Sequence, residues 1–508
     1  MFALFRLIHA GFIFTRYGIT AKLLENFDSS PWLKQFVKLF TSKKTIEPQQ
    51  LAAEIDRLGP SYVKLAQFLA TRPDIVGATL SNYLSLLQDR AQPFSRAEAL
   101  LQIQNSLKLS ATELAEALPD FSQPIAAASI AQVHQAKSAG QLLAIKVLRP
   151  GIKARFAKDL RSFYLSARWQ ERLLKKARRL RPVDVVQSLE QTIKMEMDLR
   201  LEAAAIAEMA ENTKNDLNFR VPKVNWQLTG RDVLAMEWID GVKLNDHEGL
   251  KQLGLDAKLL AKNLMQSFLK HAMWYGFFHA DMHPGNLFVD KNGDIIAIDF
   301  GITGRLGDKE RYFLAQILYG FIKRDYMRVA QAHFDAGYVP KHHNVADFAQ
   351  ANRAIGEPIY GQDAKNISMA RLLGLLFEIT EIFDMQTRPE LLLLQKNLVV
   401  VEGLARELDP DFNMWETAKP IVKNWMAKNM GPQALPKQLH KAGLSFERFT
   451  HYGTGLIEQW QATQELNASA AKAGRQLYKK LARIAGWAVL AFCLLCITLI
   501  YLLLRKLG

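Results

Sequence analysis

Apolar positions along this chain follow three spacings, and each predicts a different element. A period of two marks strands, because successive strand side chains point to opposite faces. Residues 130–137 and 141–148 alternate in this way around Ser138-Ala139-Gly140, and 221–228 and 233–239 read as two further strands around Thr229-Gly230-Arg231-Asp232. Two shorter apolar runs, 287–289 and 295–298, flank Asp290-Lys291-Asn292-Gly293. Asn-Gly between β-prone runs predicts a hairpin, since both residues accept positive φ. Helical spacing covers 45–94, 95–118, 155–181, 185–212 and 259–275, and from 301 to about 465 the chain reads almost wholly helical. Gly59-Pro60 marks a helix start, Pro73 a stop, and Ser95 followed by Glu98 a capping box. The third spacing is continuous: 484–504 is a 21-residue uncharged apolar run, long enough to span a bilayer. Residues 1–20 are apolar but broken by Arg6 and Arg16, which fits an amphipathic docking helix better than a signal peptide.

The loop before the last hairpin carries the chemistry. His279-Ala-Asp281-Met-His283-Pro-Gly-Asn286 leads into its first strand, and Asp299-Phe-Gly follows its second. A hairpin returns the chain, so Asn286 and Asp299 end on one side, within reach of Asp281. Three converging oxygen-bearing side chains suit a hard cation with its bound phosphates. The order Asp, Asn, strand, turn, strand, Asp-Phe-Gly matches phosphoryl-transfer machinery of the protein-kinase type. There the first Asp orients or deprotonates the nucleophile, and the Asn and second Asp hold Mg2+. The bland alternative is a surface hairpin with solvated acids, and the full set at these spacings weighs against it. Ala280 stands where a kinase has the Arg of His-Arg-Asp, and His283 where it commonly has Lys. His279 and His283 raise zinc, but Pro284 and Gly285 break any helix there and no third soft ligand is near. His279 reads as structural and His283 as a polar group facing phosphate.

Other stretches supply the remaining parts. Ala144-Ile-Lys146-Val resembles the Val-Ala-Ile-Lys strand of kinases, so Lys146 is expected to reach the α- and β-phosphates. Ahead of it lies Ala126-Ala127-Ala128-Ser129 in place of a glycine-rich loop. Alanine permits close backbone approach but resists positive φ, which predicts a stiffer cradle. Glu196 and Glu202 are six apart, so on one helix at about 100° per residue they point in different directions and need different partners. One is the helix Glu that pairs with Lys146. The other, with Asp198, is left for a second cation, for which Lys64 is the candidate; Lys64 and Gln67 share a helix face. Met236-Glu-Trp-Ile-Asp-Gly resembles the hinge between kinase lobes, where backbone groups meet adenine. No Ala-Pro-Glu segment follows Asp299-Phe-Gly, so the platform that holds a protein substrate is not visible.

Composition narrows the setting. The chain has 508 residues, 49% of them apolar, enough for two or more compact units and too apolar for wholesale disorder. Its formal net charge of +15 fits an anionic membrane surface or nucleic acid, and no nucleic-acid module is recognisable. The basic run from Lys175 to Arg181 reads first as a solvated face, next as a surface for anionic lipid or a partner. Cys493 and Cys496 lie inside the long apolar run, which excludes a disulfide framework and points to a reducing compartment; their C-x-x-C spacing raises redox or metal chemistry, but with no polar group around them they read as lipid-facing or packed thiols. Arg475, Lys479, Lys480 and Arg483 precede that run and Arg505 and Lys506 follow it, a bias that puts the large N-terminal part in the cytoplasm.

Taken together these motifs resemble the UbiB, or ADCK, family of atypical kinases, from about residue 45 to 310 and more loosely to the C-terminal apolar run. The pieces that carry the resemblance are Lys64-x-x-Gln67, the alanine-rich loop, Glu196-x-Asp198 and His279-Ala-Asp-Met-His-Pro-Gly-Asn286. It implies an α+β, protein-kinase-like two-lobe fold: a helical extension over 1–118, an N-lobe over 119–240, a mostly helical C-lobe over 241–465 and a transmembrane helix over 484–504. It implies that the Lys64/Gln67 helix folds across the nucleotide site as a lid, with Lys64 paired to Glu196 and Asp198 nearby, while Lys146 pairs with Glu202. ATP would contact Ile125, Ala126, Ala127, Ala128, Ser129, Ile130, Ala131, Gln132 and Val133, together with Lys146, Glu202 and Met236. Asp281 would be catalytic, and Asn286 and Asp299 would hold Mg2+. The family supports ubiquinone biosynthesis, which implies biosynthetic enzymes, apolar quinone precursors and membrane lipids as partners, at a bacterial inner membrane with the catalytic part on the cytoplasmic side. Three activities fit: an atypical kinase or ATPase, a true protein kinase acting on a biosynthetic enzyme, or a nucleotide-binding scaffold without turnover. One departure is Ala66, where the family pattern Lys-x-Gly-Gln has Gly; the added methyl would loosen or reposition the lid. Another is a single convincing span where some members have two.

Overall fold

Strand periodicity builds the first sheet and decides which residues face the site. The computed structural model describes residues 10–16, 48–70, 92–173, 181–360 and 389–430, with isolated positions at 76, 80, 83–84, 378–379 and 382–385. The apolar run 484–504 with its cysteines and flanking charges, Pro73, Lys175 to Leu180 and most of 1–20 lie outside the described residues; 10–16 is helical. Among the described residues no helix is long and apolar enough to cross a membrane. By its contacts the chain falls into a unit of residues 1–425 and a unit of 426–508, and of the second the end of one helix, 426–430, is described.

Two helices, α1 (Pro48–Leu58) and α2 (Pro60–Ala70), come first, separated by Gly59 at φ +102°. Then α3 (Arg96–Leu107) and α4 (Ala111–Ala117) precede strands β1 (Asp120–Ala127), β2 (Ala131–Ser138) and β3 (Gln141–Leu148). A two-residue β4 (Phe219–Arg220) and β5 (Val233–Glu237) follow later. The first sheet is antiparallel in the order β1-β2-β3-β5. Leu143, Ile145 and Val147 of β3 join Ala99 and Ile103 of α3 and Leu114 of α4 in one core, so these helices cover one face. With a period of two, Lys146 points to the opposite face. The β2–β3 turn is Ala139-Gly140, at φ 46° and 81°, the paired positive values of a two-residue I′ turn.

Helices α5 (Ile152–Leu173), α6 (Pro182–Glu196) and α7 (Leu199–Thr213) connect β3 to β4. The second sheet runs β4-β9-β8-β6, with β6 (Val242–Lys243), β8 (Leu287–Val289) and β9 (Ile295–Ala297), and β7 (Phe277–His279) pairs with β10 (Thr303–Arg305). Short α8 (His247–Gln252) and the longer α9 (Ala257–Lys270) lead in, and α9 ends in a π-helical turn, His271–Tyr275. Beyond β10 come α10 (Asp308–Lys323), α11 (Tyr326–Asp335), α12 (Val345–Tyr360), α13 (Pro389–Leu408) and α14 (Met414–Met430). The architecture is α+β.

Several elements differ from their sequence patterns. The predicted helix over 185–212 breaks at Met197-Asp198, because Asp198 turns extended and caps α7 by accepting the Arg200 N–H. The helix over 95–118 also breaks. Lys108 takes φ 58°, and a second capping box, Ser110 with Glu113, starts α4. Of the strand predicted over 221–228, one isolated bridge, Val224 to Met236, survives; Asn225 accepts N–H groups from Gln227 and Leu228 and folds 226–228 into a 3-10 turn. Strand β1 is missing from the sequence reading because Pro124 sits inside it. Its register slips on both sides of Pro124, and as an edge strand it tolerates the missing N–H. Strand β10 interrupts the stretch read as helical. The β8–β9 hairpin forms as predicted, but Gly293 alone of the Asn-Gly pair takes positive φ, 84°, and the Asp290 carboxylate organises the turn by accepting from Asn292 and Asp294.

Candidate active site

Lys146 Nζ lies 2.8 Å from one Glu202 carboxylate oxygen and 3.0 Å from Asp299 Oδ1. Strand β3, helix α7 and the turn after β9 each contribute one member of this triad. Glu202 is buried, while the Asp299 side chain is 47% exposed, so one carboxylate anchors the lysine and the other faces an opening. Burial works against the Lys146 ammonium, yet Asp299 and Glu202 hold its pKa well above the ordinary value. Burial pushes the Glu202 carboxyl up to about 7, with Lys146 opposing and Asp299 adding to the rise. Burial also acts to raise Asp299, but Lys146 reverses this and takes it down to about 2. Two acids thus share one ammonium, and the more exposed one keeps its negative charge.

Asp299 holds φ 60°, a strained conformation for a non-glycine residue. Its successor Phe300 is buried, 4.7 Å from the His279 ring in an edge-on contact. His279 is itself buried. Its Nδ1 accepts the Asp281 N–H at 3.0 Å, so Nε2 carries the proton and donates to the Ile298 carbonyl at 3.0 Å. Burial lowers its pKa, in keeping with a neutral ring that ties the Asp281 loop to the Asp299 turn. Asn286 Nδ2 donates to the Asp281 carbonyl at 3.1 Å and lies 3.3 Å from Asp281 Oδ2, while the Ile298 N–H donates to the Asn286 carbonyl at 2.9 Å. Asp281, Asn286 and Asp299 are thereby gathered by one loop and one hairpin. With Nδ2 committed to Asp281, the side-chain oxygen of Asn286 is the atom left for a cation. That oxygen and the Asp299 carboxylate form a hard donor pair of the kind Mg2+ takes alongside phosphate oxygens.

Lys64 Nζ on α2 sits 2.8 Å from the Glu196 carboxylate, and its charge also helps lower Asp299. Tyr62 of the same helix packs edge-on against Phe163 of α5 at 5.1 Å, with Ala66 buried and Gln67 half-buried beyond it. Glu196 and Glu202 do take different partners, although the helix break means the turn-by-turn geometry was not the cause. Asp198 does not face Lys64. It pairs with Arg200 at 2.6 Å and lies 3.9 Å from Arg231, and these guanidiniums hold its carboxyl below the usual range, the Arg200 hydrogen bond first.

The alanine-rich segment divides by strand face. Ala126 pairs with Val133, and Val133 with Lys146, which puts these residues on the site face. Ala131 is buried near the start of β2, and Ala128 donates its N–H to the Ala131 carbonyl, closing the loop over Ser129 and Ile130. None of Ala126 to Ser129 has positive φ. Ile125 falls in the β1 irregularity and is 54% exposed. Gln132 pairs with Val147 and therefore points to the helix-covered face. There it accepts the Phe94 N–H at 2.9 Å and donates to the Phe94 carbonyl at 3.1 Å, pinning the loop before α3. Met236 is buried in β5 opposite Ala144. His283 is exposed and accepts the Gly285 N–H through Nδ1, which caps the turn and occupies that nitrogen.

Two residues escaped the sequence reading. Lys396 Nζ on α13 lies 3.7 Å from Asp281 Oδ1, and the neighbouring Asn397, almost fully buried, accepts the Met282 N–H at 2.8 Å. The available signal was a polar triplet, Gln395-Lys396-Asn397, inside the apolar run 391–401.

Comparison with known proteins shows the family. Residues 86–333 match an ABC1 atypical kinase-like domain and residues 352–413 a UbiB helical domain. The chain is 38% identical to a "Probable protein kinase UbiB" of Marinobacter nauticus, across 85% of this chain and 81% of that protein. It is 41% identical to the protein of the same name from Azotobacter vinelandii, across 76% and 72% of the two chains. A Mycobacterium tuberculosis protein solved in complex with erythromycin aligns with TM-score 0.48 and 22% identity, over 76% of this chain and 96% of that one. The fold is kinase-like, and the chain belongs to the UbiB family of atypical kinase-like proteins.

Proposed function

We propose that the protein binds ATP with Mg2+ and acts as an atypical kinase or ATPase supporting ubiquinone biosynthesis at the membrane. The observation that carries this reading is the Lys146–Glu202–Asp299 triad standing beside the Asp281–Asn286 contact. Lys146 would hold the α- and β-phosphates, Asp281 would receive or orient the proton of the attacking hydroxyl, and Asn286 and Asp299 would hold the cation. Mg2+, when bound, would neutralise phosphate charge. The Lys64–Glu196 contact supports α2 as a lid over this site. The apolar run 484–504 and its basic flanks support anchoring in an inner membrane, with the catalytic part on the cytoplasmic side, next to apolar quinone precursors and the enzymes that process them. Purified protein is expected to hydrolyse ATP, and Asp299→Asn to abolish hydrolysis; full activity in that variant would refute the assignment. Deleting the gene should lower quinone and raise its apolar precursors.

A second reading is that of a true protein kinase, favoured by the printed name of the relatives, "Probable protein kinase UbiB". It requires transfer of labelled phosphate to a biosynthetic enzyme and loss of that transfer in Asp281→Asn. Nothing labelled across the pathway's enzymes would leave the first reading alone.

A further inference from the structure

We infer that Lys396 is a catalytic residue that contacts the γ-phosphate of bound ATP and counters its charge during transfer. This rests on the ATP-dependent reading above. Lys396 belongs to α13, far along the chain from the catalytic loop, yet its ammonium lies 3.7 Å from Asp281 Oδ1. That is an ion pair without a hydrogen bond, a loose hold on a long flexible side chain. The Lys396 side chain is 46% exposed and that of Asp281 38%, so both face an open space rather than a packed core.

The position is built rather than incidental. Asn397, the next residue on α13, is 1% exposed, accepts the Met282 N–H and donates to the Leu393 carbonyl. Two adjacent side chains of one helix therefore grip adjacent residues of the catalytic loop: Asn397 fixes the backbone at Met282, and Lys396 reaches Asp281.

The loop itself leaves a charge to be supplied. His283 is exposed and its Nδ1 is occupied by the Gly285 N–H. Lys146 is held by Glu202 and Asp299, and Lys64 by Glu196. A γ-phosphate attacked by a nucleophile that Asp281 orients must lie next to Asp281, and Lys396 is the cation the described residues bring there. In the transfer, the bond from the γ-phosphorus to the bridging oxygen breaks with its electron pair left on ADP. A new bond forms to the oxygen of the acceptor hydroxyl or water, and that oxygen's proton goes to Asp281. The ammonium of Lys396 exchanges no proton; it offsets charge on the γ-oxygens, as such clamps do in phosphoryl transfer.

The test compares two probes on the full chain. Mg2+ with a non-hydrolysable imido analogue of ATP carries a γ-phosphate; Mg2+ with ADP does not. Lys396→Met should weaken the ATP analogue by roughly tenfold, the size of one lost charge-assisted hydrogen bond, and leave ADP affinity unchanged. Lys396→Arg should recover most of the difference, and hydrolysis should fall in Lys396→Met at saturating ATP. ADP binding serves as the control for folding. Equal analogue affinity in the wild type and Lys396→Met overturns the inference while leaving the nucleotide site intact. Equal weakening of both nucleotides assigns Lys396 a structural role and overturns it too. A wild-type chain that binds neither nucleotide overturns both the inference and the reading beneath it.

Discussion

Lys64 Nζ stands 2.8 Å from the Glu196 carboxylate, with the two side chains 14% and 10% exposed. Glu196 is the last residue of α6, where the helix dipole already disfavours an anion, so this lysine offsets two unfavourable terms at once. It also ties α2 to α6, the helix that precedes the Glu202-bearing α7. Removing Lys64 takes this partner from the nearly buried Glu196 carboxylate, which costs on the order of 3 kcal/mol. Lys64→Met or Glu196→Gln should therefore speed hydrogen exchange across 60–70 while that of β3 stays slow, and the double variant should recover part of the loss. Unchanged exchange in α2 would show that the pair does not hold the helix.

Lys146→Met removes the cation between two carboxylates. With Asp299 and Glu202 left facing each other, ATP turnover should fall by roughly a hundredfold or more, the scale of losing a preorganised phosphate contact. Glu202→Gln keeps a hydrogen-bond partner for Lys146 and should cost less. Steady-state kinetics on the two variants checks the order.

Ala139 holds φ 46° in the β2–β3 turn, a conformation that costs an L-residue roughly 1–2 kcal/mol. Asn tolerates this position and precedes Gly140 in the preferred Asn-Gly order. Ala139→Asn should raise stability by about 0.5–1 kcal/mol, read as a higher urea midpoint at unchanged slope.

His333 on α11 is half-buried, its Nδ1 donating to the Val329 carbonyl, and burial takes its pKa down to about 4. The unfolded chain, with an ordinary value near 6.5, takes up this proton first as pH falls. The stability from the neutral ring is therefore complete above about 6.5 and is lost as pH falls toward 4. Between pH 7 and pH 5 the loss should be about 1–2 kcal/mol. His271 and His279, both lowered by burial, act in the same direction. His333→Gln should flatten the slope of stability against pH over that window.

Asn397→Leu fills the same space but leaves the buried Met282 N–H without its acceptor. A loss of about 1–3 kcal/mol is expected, with a lower melting temperature. Because Met282 adjoins Asp281, turnover should fall by more than nucleotide affinity does.

Much of the site was legible because its parts are local. The hairpin that brings Asn286 and Asp299 together lies within a short stretch, and a turn with strands on either side has few ways to fold. The strand carrying Lys146 was legible for the same reason: period-two alternation fixes which side chains share a face. Gln132 shows what misapplied locality costs. Its neighbours in sequence line the site face, but its register partner Val147 belongs to the helix-covered core, so its amide serves Phe94 instead.

The sequence by itself determined the motif order, the strand that presents Lys146 and the hairpin that gathers the acids. Tertiary structure alone decided which cation each acid receives, and that α13 delivers Lys396 and Asn397 to the catalytic loop. The reason is physical. Local pattern is set by backbone sterics and the spacing of apolar side chains within a few residues. The partner of a buried charge depends on which distant surfaces pack together, and that is decided by the burial of the whole chain.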